Sequence, residues 1–375
     1  MRNIPDSAFG VGTHKIAFGN KPSDDIKACP IRHRQYNNQC AVKLIRTSRE
    51  LGMTTVDTAP LYRAGKFVGH AFDELGLTEE QRIVYTKCLR FLVPLGKRTE
   101  RQPPFYVENM APPFRGLTDE FLFTAKAIEA QVAEERERLN TTKITGVGWH
   151  DLGDYIGFQV FGLSDIRGLD AALQTRAGEI DWTILEKETM PTLVELKDSG
   201  EIEEIGFCTK NWQITRLAFE RFQFDYVMST FCNPLMSTDC FDLLEACRES
   251  GTKIAHGGLF FGAALVQNDP TKLKPGAIEY NYEPITAEEI GYLIRFWNIL
   301  NRHGKSLKEM AAAFCGRMVE KYPDVFNRIV TSTRDPRRLG QTKDLILTAD
   351  LPQECWRELI EAGLIDRRCE AFLID

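Results

Sequence analysis

No apolar stretch approaches the ~20 residues needed to span a bilayer, so the chain has no membrane helix. The opening MRNIPDSAFGVGTHK lacks an apolar core, so a secretory signal is not expected and a cytoplasmic location is. The 10 cysteines form no CxxC pair and show no metal-ligand spacing with histidine. They read as free, mostly buried thiols of a reducing compartment, with no metal site. A net charge of -6 with mixed signs gives no support for a nucleic-acid partner. There is no Gly/Ser linker or low-complexity tract, and no GxGxxG opens a helix, which removes the signature of a doubly wound dinucleotide domain.

What is present is alternation. Short buried segments end in polar residues, and each is followed by a helical pattern. The strand-like segments are FGVGT (9–13), MTTVD (53–57), RIVYTK (82–87), KITGVGWH (143–150), EIEEIGFC (201–208), FDYVMSTF (224–231), TKIAHGG (252–258) and FNRIVTS (326–332). Helices are expected at 38–52, 64–75, 119–139, 183–199, 213–222, 239–250, within 286–320, and at 335–347 and 352–362. Eight such units predict an α/β fold of (β/α)8 barrel type, a single domain over 1–375. The proline-rich stretch 88–117 is too long for an ordinary connection and follows the third strand. It is expected as a loop insertion over a site on the C-terminal face of the barrel.

Asp57, Lys87, His150, Cys208, Ser229, His256 and Thr331 close seven of the strands. Ionisable groups gathered at one end suggest proton transfer. A free tyrosine titrates near ~10, and an adjacent ammonium favours phenolate. Asp57 beside Lys87, with Tyr62 nearby and a histidine to orient an oxygen, would form such a site. Asp335 as N-cap and Pro336 at the first position start a helix after the last strand, where free N–H groups favour an anion.

The strings VDTAPLY, VYTK and GWHD resemble the catalytic tetrad of the aldo-keto reductases. GVGTHKIAFGN, KCLR, IGFCTKNW, HGGLFFGAAL and LPQECWRELIEAGLI are similar to motifs of the sugar-oxidising branch, which includes L-fucose, D-arabinose and L-galactose dehydrogenases with pyridoxal dehydrogenase close by. The resemblance implies Tyr62 as general acid/base, Lys87 tuning it, Asp57 holding Lys87 and His150 orienting the oxygen. It implies NADP or NAD held by Asp57, Cys208, Asn211, Ser229, His256, Gly257, Gly258, Leu259, Thr331, Thr333, Arg334, Arg338 and Thr342. His256 reads equally well as a capping or core histidine. Trp149, Arg90, Phe91, Trp212 and Phe105 are candidate substrate contacts. Phe261 and Gly262 stand where the branch has Asn and Ser, and Cys208, Ser229 and Thr342 also depart from its pattern. The implied partner is a small sugar or aldehyde, with no nucleic acid or membrane, in a monomer or weak homodimer. An aldehyde- or pyridoxal-specific enzyme and a non-catalytic dinucleotide-binding regulator are the alternatives.

Overall fold

The computed structural model describes residues 1–17, 30–94, 117–156, 177–210, 212–230, 233–280 and 283–374. Twelve strands occur in it. Eight of them, β1 (Phe9–Gly12), β2 (Thr55–Asp57), β3 (Val84–Cys88), β6 (Ile144–His150), β7 (Ile202–Thr209), β8 (Tyr226–Ser229), β9 (Lys253–His256) and β12 (Phe326–Ser332), close a barrel in the order β1-β12-β9-β8-β7-β6-β3-β2. Every pairing between them is parallel. This is the (β/α)8 architecture, and each barrel strand falls on a segment read as a strand from the sequence.

The remaining strands form two antiparallel ribbons, β4 (Arg90–Pro94) with β5 (Leu117–Phe121), and β10 (Glu279–Tyr280) with β11 (Glu283–Pro284). The first ribbon corrects two expectations. The start of the stretch read as irregular is a strand, and DEF at 119–121 pairs with it instead of opening a helix. The helix begins after Thr124, whose hydroxyl caps it by accepting from the Ala127 N–H, and runs Ala125–Leu139. Helices Ala287–Arg302 and Leu307–Lys321 start in the same way, from capping boxes built on Thr286–Glu289 and Ser306–Glu309.

Side chains alternate in and out along each barrel strand. At the N-terminal end of the interior, β6 and β7 contribute Gly146, Gly148 and Gly206, leaving room for two tyrosines from β3 and β8. A Cβ at Gly206 would lie 2.2 Å from the Tyr226 ring, and one at Gly146 would lie 2.4 Å from Tyr85. The Arg328 guanidinium lies 3.5 Å from the Tyr85 ring centre and 4.6 Å from that of Tyr226, with Glu204 3.4 Å away. Two π-faces and a carboxylate thus stabilise a buried cation that would otherwise be costly. Above this floor come Cys208, Met228, Ala255 and Val330. Above them the interior turns polar. Among the described residues no helix is long and apolar enough to cross a membrane, and all the cysteines are buried and free.

Candidate active site

Three barrel strands end on the polar layer. β2 delivers Asp57, β3 delivers Lys87 and β6 delivers His150, each nearly fully buried. Lys87 Nζ donates to Asp57 Oδ1 at 2.9 Å, to Asp57 Oδ2 at 3.1 Å and to the Thr58 carbonyl at 2.7 Å. These partners engage the ammonium fully and fix its position. Burial works against a charged Lys87, but Asp57, helped by Cys208 and Asp151, outweighs it and holds Lys87 above its usual value.

Tyr62 comes from a short 3-10 turn, Pro60–Tyr62, that Pro60 initiates and Arg63 ends in a left-handed conformation. The turn brings the Tyr62 ring over the ion pair, its centre 4.9 Å from Lys87 Nζ. The ring is flanked edge-on by His150 at 5.8 Å and His14 at 5.2 Å. Burial, reinforced by the cations of Lys87, Arg90 and Lys210, pushes His150 well below its ordinary value, so the imidazole is neutral. Its Nδ1 is buried with no hydrogen-bond partner among the described residues, and its Nε2 lies 3.6 Å from Asp151 Oδ2.

A cavity of about 170 Å³ opens beside Tyr62 and Asp57 and continues to the start of the helix Pro336–Thr348. Its lining includes Gly12, His14, Thr230, the run Gly257–Gly262, Thr331, Thr333, Arg338 and Thr342. Backbone and small side chains form much of its wall. Gly258 has φ +65°, and a Cβ there would sit 2.7 Å from the Thr230 carbonyl. The hydroxyls of Thr230 and Thr331 are buried without a partner among the described residues. Arg338 is 73% exposed at the far end. Bare backbone, hydroxyls and one guanidinium make a donor set that suits the ribose and phosphate groups of a dinucleotide. Asp335 caps the helix, accepting from the Arg337 N–H at 3.2 Å. Arg334 is not part of the cavity lining, and its Nη2 donates to the Ile16 carbonyl at 3.0 Å.

Several of the described residues expected at the site do not line this cavity. Trp149 is fully buried behind the barrel wall, with its ring 5.0 Å from Phe222, 5.3 Å from Phe224 and 6.1 Å from Phe207. Its neighbour His150 faces inward, so Trp149 has to face outward. Arg90 is buried in an ion cluster, bound to Asp119 at 2.7 Å and to Asp154 at 2.8 Å. Ser229 and His256 are buried and do not line the cavity, where Met228, Thr230 and Gly257 stand instead. Cys208 packs within the barrel, and burial pushes its thiol up to about 12, which leaves it unreactive. Phe91 and Trp212 are half-buried and outside the cavity lining, Trp212 lying under the Arg216 guanidinium at 5.3 Å. Asn211 and Phe105 fall outside the described residues. Leu259, Thr331, Thr333, Arg338 and Thr342 do line the cavity. Sequence reasoning passed over His14 and Lys210. The signal for His14 was its place just beyond the first strand.

The chain matches the model of the aldo/keto reductase family over residues 17–362. It is 25% identical over 343 residues to a D-threo-aldose 1-dehydrogenase from a Pseudomonas species, covering 88% of this chain and 90% of that protein. Two solved structures share the fold. The holo form of an aldo-keto reductase from Bacillus halodurans superposes with a TM-score of 0.59 at 15% identity, over 96% of this chain and 92% of the other. The glycerol dehydrogenase of Gluconobacter oxydans gives 0.57 at 17% identity, over the same shares of the two chains. Family model and barrel geometry agree: this chain belongs to the aldo/keto reductase family of oxidoreductases.

Proposed function

We propose that this protein is an NAD(P)-dependent aldose 1-dehydrogenase acting at C1 of sugars of the L-fucose, D-arabinose or L-galactose type. The observation that carries the reading is the buried Lys87–Asp57 pair beneath the Tyr62 ring. The D-threo-aldose 1-dehydrogenase relative supports the substrate class. The nicotinamide, when bound, supplies the hydride chemistry.

The chain's own residues handle the proton and the oxygen. Tyr62 takes the proton of the sugar hydroxyl in oxidation and returns it in reduction. The Lys87 ammonium stabilises the phenolate form through space, and Asp57 holds that ammonium where it can act. Neutral His150 donates a hydrogen bond to the same oxygen and adds no second positive charge. Thr230, Thr331 and the Gly257–Gly258 backbone would hold the ribose and phosphate portion, with Arg338 beside the adenosine end. An exposed guanidinium there favours a 2'-phosphate, so both cofactors are expected to bind, NADP the more tightly.

The test is a panel of aldoses, aromatic aldehydes and pyridoxal, each with NAD and with NADP, followed at 340 nm. Turnover of aldoses above the other classes is expected. Preferential turnover of aldehydes or pyridoxal would overturn the substrate class. Tight cofactor binding without turnover of any compound would overturn catalysis and favour a regulatory role.

A further inference from the structure

Beside His150 lies a cluster of buried charge that the tetrad does not account for. Asp151, Asp154 and Asp119 surround Arg90 and Lys210. Arg90 Nη1 is 2.8 Å from Asp154 and 3.5 Å from Asp151, while Arg90 Nε is 2.7 Å from Asp119. Lys210 Nζ is 3.0 Å from Asp154 and 3.3 Å from Asp151. Gln131 fastens the Arg90 backbone by donating to its carbonyl at 3.0 Å. Both cations are at least nine-tenths buried.

The backbone is bent to build this cluster. Asp151 has φ 48° and ψ 50°, and Leu89, just before Arg90, has φ 75°. Neither is glycine, and a left-handed conformation is costly for residues with a Cβ. Such outliers persist where surrounding structure enforces them, often at functional sites. The bend at Asp151 is anchored by its N–H, which donates to the Cys208 carbonyl at 2.8 Å. It returns the Asp151 side chain toward the imidazole it has just followed in sequence.

From this arrangement we infer that Asp151 is a positioning residue that keeps the His150 proton on Nε2, with Arg90 and Lys210 holding its carboxylate in place. The inference rests on the reading of His150 as the hydrogen-bond donor to the reacting oxygen. A neutral imidazole carries one proton, on either nitrogen. On Nδ1 it would be a buried donor with no acceptor among the described residues, and the Nε2 lone pair would face a carboxylate. On Nε2 it points toward Asp151, and Nδ1 is left with only a lone pair to satisfy. At 3.6 Å the carboxylate is close enough to bias the tautomer by charge. That distance is too long for a formed hydrogen bond, so the Nε2–H remains available to a substrate oxygen. Burial, with Lys87, Arg90 and Lys210, disfavours imidazolium, so the carboxylate orders the proton without adding a second one.

The experiment is long-range 1H–15N NMR of 15N-histidine-labelled protein at neutral pH. His150→Gln assigns the signal among the 6 histidines. The expected result is an Nε2–H tautomer for His150 in the wild type and a shift toward Nδ1–H in Asp151→Asn. In the same variant kcat should fall at least ~10-fold, with cofactor affinity unchanged, and Asp151→Glu should restore part of the loss. An Nδ1–H tautomer in the wild type overturns the inference with no variant needed, even if Asp151→Asn fails to fold. An unchanged Nε2–H in a folded Asp151→Asn overturns it as well. The tautomer is read without substrate, so this outcome is independent of whether aldoses prove to be substrates.

Discussion

Replacing Lys87 with methionine keeps the length of the side chain and removes the charge. In the structure the ammonium sits 4.9 Å from the Tyr62 ring centre. At an effective dielectric of ~20 a lone cation ~5 Å from a phenolate is worth at most about 3 kcal/mol, and the Asp57 carboxylate 2.9 Å from Nζ offsets part of that. The sign follows directly: losing the cation destabilises phenolate, so the ionisation of Tyr62 moves to higher pH. In oxidation, where phenolate is the active form, the rising limb of the kcat/KM profile should move to higher pH, by at most about 2 units. In reduction, where phenol is active, the falling limb should move up by the same amount. The single variant also strands a carboxylate, since Asp57 is 5% exposed and would lose its buried partner. The double variant Lys87→Met/Asp57→Asn removes both charges and serves as the folding control. The profiles are measured at 340 nm with saturating cofactor. A Lys87→Met enzyme that loses rate while keeping both limbs in place would refute the electrostatic role and leave Lys87 only a structural one.

Tyr62→Phe should lower kcat at least ~100-fold while cofactor affinity, read by fluorescence titration, stays nearly unchanged; near-normal turnover would remove Tyr62 from the chemistry. Arg338→Ala should weaken NADP by about 1.5–3 kcal/mol and leave NAD almost untouched, and an equal loss for both would mean that Arg338 does not read the 2'-phosphate. Gly206→Ala would force a Cβ to within 2.2 Å of the Tyr226 ring. It should cost about 1–3 kcal/mol of stability, seen as a lower midpoint in thermal or denaturant unfolding. A Gly206→Ala protein as stable as the wild type would show that the barrel floor can yield to an added methyl group.

The barrel was legible because each of its strands is short, apolar and punctuated by a polar residue or glycine, a pattern that survives without tertiary information. The β4–β5 ribbon was not. RFLV is a short strand-prone run cut off by a proline, and its partner LTDEF abuts a strong helix, so nothing local announces their pairing. Their pairing is a long-range choice. Asp57, Lys87 and His150 could be placed at the site because strand ends converge at one rim. Trp149 was misplaced by ignoring the period-2 rule, which turns a neighbour of inward His150 outward. Arg90 is drawn into an ion cluster for another reason. Leu89 turns the chain in a left-handed step that no propensity announces, and Arg90 then meets carboxylates from Asp119 and Asp154, far away in sequence.

The floor of the barrel has a consequence for how this sequence can change. Gly146, Gly206, Tyr85, Tyr226 and Arg328 fit one another through contacts in which the glycines are the empty halves and the tyrosines the full ones. No member can be enlarged or neutralised alone without leaving a clash, a void or an uncompensated cation. Divergence at this end must therefore proceed through paired substitutions, a narrow route in sequence space. The mouth lies at the opposite end of the same strands. The base of the barrel is therefore expected to tolerate change only as a block.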